Sequence, residues 1–90
     1  MDSLTGNLEP PRELDAALKA LWYDHRGNWA AAHNLINDLG DRRSKMVHAY
    51  LHRKEGDQFN AGYWYRSAGI KPFSGSLHEE WKMLVTELSD

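Results

Sequence analysis

His48 and His52 stand four residues apart in the stretch His-Ala-Tyr-Leu-His, and Glu55 follows three residues later. On a helix that spacing sets all three side chains on one face. Two imidazoles so placed can share a divalent metal ion, and a glutamate one turn on adds an oxygen ligand. His33 can reach the same region from the preceding helix. The pattern is not His-Glu-x-x-His, because Ala49 follows His48. The same spacing also suits histidines partly buried against a partner helix and bonded to backbone or to Trp and Tyr neighbours. No cofactor is expected from these residues, with a divalent metal on His48, His52 and Glu55 as the alternative.

A second group lies just downstream. Tyr63, Trp64 and Tyr65 are consecutive, and at about 100° per residue they fan over roughly 200° of a helix. Tyr65 shares a face with Ala61 and Ala68 and belongs to the core. Tyr63 falls near Phe59 on another side, where it packs under the last helix or lines a pocket. Arg53, Asp57, Asn60 and Arg66 surround these aromatics. Asp57 is first a helix cap. An Arg, an Asn and a Tyr beside aromatic walls suit a carboxylate of a small molecule or peptide. The candidate ligand- or partner-binding residues are thus His48, His52, Arg53, Asn60, Tyr63 and Arg66. No nucleophile elbow surrounds any serine, and no glycine-rich phosphate loop occurs. The basic run Asp41 to Lys45 reads as a solvated helix start.

These residues need helices to position them, and helices are what the pattern predicts. Pro10 and Pro11 set up a first helix from Arg12, with Leu14, Ala17, Leu18, Leu21 and Trp22 on one stripe and Gly27 at its end. Asn28 caps a second helix carrying Trp29, Ala32, Leu35, Ile36 and Leu39, ended by Gly40. Asp41 caps a third through Val47, Tyr50 and Leu51 to Gly56. Asp57 caps a fourth through Phe59, Ala61, Trp64, Tyr65 and Ala68 to Gly69. The stretch Gly69 to Gly75 is a loop. Ser76 and Glu79 form a capping box before Leu77, Trp81, Leu84, Val85 and Leu88. No window alternates strictly, so no strand is expected. The expectation is an all-α fold, with residues 1–9 a disordered tail and 10–90 a single helical domain.

Composition narrows the function classes. The 90 residues hold 11 Lys+Arg against 13 Asp+Glu and no Cys. That balance lacks the basic excess of a nucleic-acid domain, and the missing cysteines exclude disulfides and thiolate metal sites. The apolar runs are too short and interrupted to span a bilayer, and the first residues lack a signal-peptide pattern, so no membrane partner and a cytoplasmic location are expected.

The chain also repeats itself. Gly27-Asn28-x-x-x-Ala32 matches Gly56-Asp57-x-x-x-Ala61 at an offset of 29, and Ala20 matches Ala49. Small residues on both helices of a pair let them approach closely. This unit resembles the tetratricopeptide repeat and related helical hairpins, over roughly residues 14–69. Its period is about five residues short of that family's 34. His-Ala-Tyr-Leu-His-Arg-Lys-Glu-Gly-Asp and Asn-Ala-x-Tyr-Trp-Tyr-Arg-x-Ala-Gly also resemble a small bacterial family with no known activity. The resemblance implies two antiparallel hairpins with residues 76–89 as a capping helix. It implies a non-enzymatic binding or adaptor module for a protein or peptide, including a second copy of the chain in a homodimer. The alternatives are a metal-binding protein or metal-dependent enzyme using His48, His52 and Glu55, and a small-ligand sensor.

Overall fold

The computed structural model describes residues 9–89. The expected tail therefore lies, except for Glu9, outside the described residues. Five α-helices follow one another: α1 (Ala16–His25), α2 (Trp29–Ile36), α3 (Arg42–Lys54), α4 (Gln58–Ala68) and α5 (Leu77–Leu88). The described residues contain no strand, and the fold is all-α as expected.

Two boundaries differ from the sequence reading. The first helix begins at Ala16, not Arg12, because the Asp15 side chain accepts the Leu18 N–H at 3.0 Å and caps the helix there. The prolines lie in a turn, where the Leu14 N–H donates to the Pro11 carbonyl. The second helix stops at Ile36, where a Leu39-to-Ile36 backbone bond tightens the chain into a turn and leaves Leu39 exposed.

The two short turns inside the repeat are built alike. Gly27 and Gly56 take φ of +82° and +87°. In the first turn, the Asn28 N–H donates to the Tyr23 carbonyl and the Gly27 N–H to that of Asp24. In the second, Asp57 donates to His52 and Gly56 to Arg53. Each pair is a Schellman motif, which closes one helix. Each residue after the glycine then caps the next helix: Asn28 accepts the Ala31 N–H and Asp57 the Asn60 N–H, both at 3.1 Å.

These turns fold α1 back on α2 and α3 back on α4. Ala20 and Ala32 share one buried cluster, and Ala49 and Ala61 share another with Tyr65. The alanines therefore lie in the cores, as close helix approach requires. The fifth helix, α5, crosses α1 and α3, burying Leu84 and Leu88, while the Trp81 indole N–H donates to the Leu21 carbonyl at 3.0 Å. The basic run at the start of α3 also ties elements together. Arg43 pairs with Asp15 at 2.7 Å and donates to the Leu88 carbonyl, and Arg42 donates to the Ala68 carbonyl.

Candidate metal centre

The seam between the hairpins, where α2 meets α3, gathers three histidines. His33 comes from α2, and His48 and His52 come from α3 on consecutive turns. One ring nitrogen from each lies within 4.8 Å of the other two. The Nε2 atoms of His33 and His48 are 3.0 Å apart, close enough that a single proton joins them. The His48 and His52 rings stack at 4.9 Å, and His33 stands edge-on to both.

Tryptophans wall the trio. Trp29 opens α2 and lies parallel to His33, with ring centroids 4.7 Å apart. Its indole N–H donates to the Leu51 carbonyl at 2.9 Å, which pins the ring to α3. From α4, Trp64 lies against His48 with centroids 4.0 Å apart. His48 is 2 % exposed, while His33 and His52 are half-buried.

Burial sets the charge state. It pulls the His48 pKa down from 6.5 to about 4, and the neighbouring His33 and His52 push the same way. The pKa of His33 is also lowered, by burial first and His52 second, against an opposite pull from Glu55. His48 therefore offers a neutral imidazole at pH 7, the protonation state that a metal ion needs. The Nδ1 atoms of both His48 and His52 are buried without a hydrogen-bond partner. Buried polar atoms are satisfied in the great majority of cases, so these two nitrogens are exceptions. The Asp57 Oδ2 lies 3.6 Å from His52 Nδ1, just too far for a hydrogen bond.

The other candidate residues do not join this trio. Glu55, expected as the oxygen ligand, is exposed at the C-cap of α3 and is not among the converging groups. Its place is taken by His33, which the sequence put only within reach. Arg53 turns the other way, toward α5. It pairs with the buried Glu80 at 2.8 Å, donates to the Gly75 carbonyl and lies over the Phe73 ring. Asn60 is exposed and its amide donates back to Asp57 at 2.7 Å. Tyr63 and Arg66 are exposed on α4, so Tyr63 does not pack under the last helix. Arg53, Asn60, Tyr63 and Arg66 thus do not enclose one carboxylate pocket with the histidines.

Sequence reading gave the histidines Trp and Tyr neighbours without naming Trp29 or Trp64. One signal for Trp29 was its place four residues before His33, one turn away on the same face.

Compared with known protein families, curated proteins and solved structures, the chain matches none of them. No described helix is long and apolar enough to cross a membrane.

Proposed function

We propose that this chain is a metal-binding protein whose centre is His33, His48 and His52. The observation that carries the reading is the convergence of three imidazole nitrogens from two hairpins within 4.8 Å. Ligand nitrogens about 2.0–2.1 Å from a tetrahedral zinc ion stand about 3.3 Å apart. The His33–His48 pair, at 3.0 Å, is already near that separation. Only one of those two nitrogens can carry the proton between them. A cation in its place serves both lone pairs. Three imidazoles and no thiolate suit zinc, cobalt(II), nickel or copper(II) rather than magnesium or calcium. Three protein ligands also leave a coordination position open. Because His33 belongs to one hairpin and His48 and His52 to the other, the ion would hold the seam closed.

Zinc titration tests this reading. One equivalent per chain is expected by metal analysis, with a rise in melting temperature, since selective binding to the native state stabilises it. His33→Ala and His52→Ala should each remove both effects. Binding that survives both variants, or no binding by the native chain, overturns the reading.

A second reading, a non-enzymatic binding module, is supported by Phe59 and Tyr63. They lie one turn apart on α4 and are 82 % and 51 % exposed. The occupant this reading takes is a second copy, since a twofold arrangement would set the same two aromatics of each copy against each other. Light scattering should then give a dimer mass that Phe59→Ala with Tyr63→Ala reduces to the monomer. A native monomer at high concentration excludes it.

A further inference from the structure

We infer that Asp57 is the positioning residue that turns His52 into a metal ligand, an assignment that rests on the three-histidine centre proposed above. Asp57 is already occupied in two ways. Its Oδ1 accepts the Asn60 N–H at 3.1 Å and caps α4, and its Oδ2 accepts the Asn60 side-chain amide at 2.7 Å. The same Oδ2 faces His52 Nδ1 across 3.6 Å, and that nitrogen is buried with no other partner. A carboxylate oxygen can only accept. It therefore favours the tautomer with the proton on Nδ1, which leaves the Nε2 lone pair for the ion. A ligand histidine commonly donates its second N–H to a carboxylate in this way, and that contact sets both ring orientation and ligand basicity. The 3.6 Å gap needs to close by only a few tenths of an ångström to become a bond, about 2.7–3.2 Å being the ordinary range.

The turn explains how the carboxylate comes to be there. Asp57 follows Gly56 in the Schellman motif, and its own N–H donates to the His52 carbonyl at 2.9 Å. Cap and ligand are therefore tied through the backbone five residues apart. The equivalent turn of the first hairpin carries Asn28 at the same position, with Tyr23 where the second has His52. Asn caps α2 with the same geometry, accepting the Ala31 N–H at 3.1 Å. An amide is thus sufficient for the cap, and in the second hairpin the carboxylate also faces a histidine.

That contrast supplies the test. In Asp57→Asn the cap holds the amide oxygen on the Asn60 N–H, so the NH2 group faces His52 Nδ1. A donor now points where an acceptor stood, which favours the tautomer with Nε2 protonated. Zinc affinity should fall about 10–100-fold, while the melting temperature of the metal-free protein stays close to native. Asp57→Ser keeps a capping oxygen and removes the carboxylate oxygen that faces His52, and should lose affinity too. In the metal-free native protein, 15N chemical shifts should show the His52 proton on Nδ1, and Asp57→Asn should move it toward Nε2. Native-like zinc affinity in both variants, or an unchanged His52 tautomer in Asp57→Asn, overturns the assignment and leaves the metal centre standing. A native chain that binds no zinc removes the centre and the assignment together.

Discussion

His48 shows how a residue's surroundings change its chemistry. Unfolded, its imidazole titrates near 6.5, whereas folded it titrates at about 4 because burial opposes the charge. Between those values the unfolded chain holds a proton that the folded chain does not. Stability must therefore fall as pH drops through that window. The contribution is complete above about pH 6.5 and gone below about pH 4. At about 1.4 kcal/mol per unit, the loss is on the order of 3 kcal/mol. Urea unfolding of the metal-free protein at stepped pH should show it. His48→Gln, which has nothing to titrate there, should flatten the profile, with the half-buried His33, and toward pH 4 the carboxylates held below their ordinary range such as Asp57 and Glu79, supplying the remainder. The i, i+4 spacing was enough to put His48 and His52 side by side, because one helix turn decides it. The same spacing said nothing of Glu55, whose carboxylate stays with solvent at the end of α3 while His33 joins from α2.

Among the elements, the turns are what the sequence predicts best. A glycine followed by Asn or Asp can close one helix and start another, and both repeats do so. Glycines nevertheless differ in why they stand where they do. Gly27 and Gly56 have positive φ, while a Cβ at either would meet nothing within 4 Å. Alanine there meets only backbone strain, roughly 1–2 kcal/mol. Gly27→Ala and Gly56→Ala should destabilise by that amount in denaturant melts, and by equal amounts because the turns are alike. Gly40 reads the same in the sequence, but it is not among the positive-φ glycines and is equally open. Gly40→Ala should be neutral or stabilise by up to about 1 kcal/mol through the unfolded state. Equal losses at all three positions would contradict the turn geometry. Helix ends were less legible. The start of α1 moved to Asp15 because a side-chain cap outcompeted the prolines, a choice between two adequate local signals.

In the molecule as a whole, α5 is held by buried polar contacts as well as by its apolar face. Glu80 is 1 % exposed and receives the Arg53 guanidinium at 2.8 Å and the Tyr65 hydroxyl at 2.5 Å. Asp24 is built likewise, with Tyr50 at 2.6 Å and Lys54 at 2.8 Å. Each carboxylate thus joins helices through one tyrosine and one cation. Removing one partner of a buried pair strands the other, at about 3–5 kcal/mol. Glu80→Ala should destabilise by about that much, with Trp81 fluorescence reporting the release of α5. A loss under about 1 kcal/mol would mean that apolar contacts alone dock the helix. Arg53, whose charge suggested a ligand contact, is engaged in this network instead.

Sequence by itself determined the helices, the caps Asn28, Asp41, Asp57 and Ser76, the paired glycine turns and the alanine faces, since each depends on residues within about one or two turns of one another. Only the tertiary structure decided that His33 meets His48 across 15 residues, that Arg53 meets Glu80 across 27, and that Tyr63 stays in solvent. Helical periodicity names the face on which a side chain lies. It leaves open how far one helix is shifted along and rotated against its neighbour. That offset is settled by close packing of the whole core, and it selects which three nitrogens share a centre.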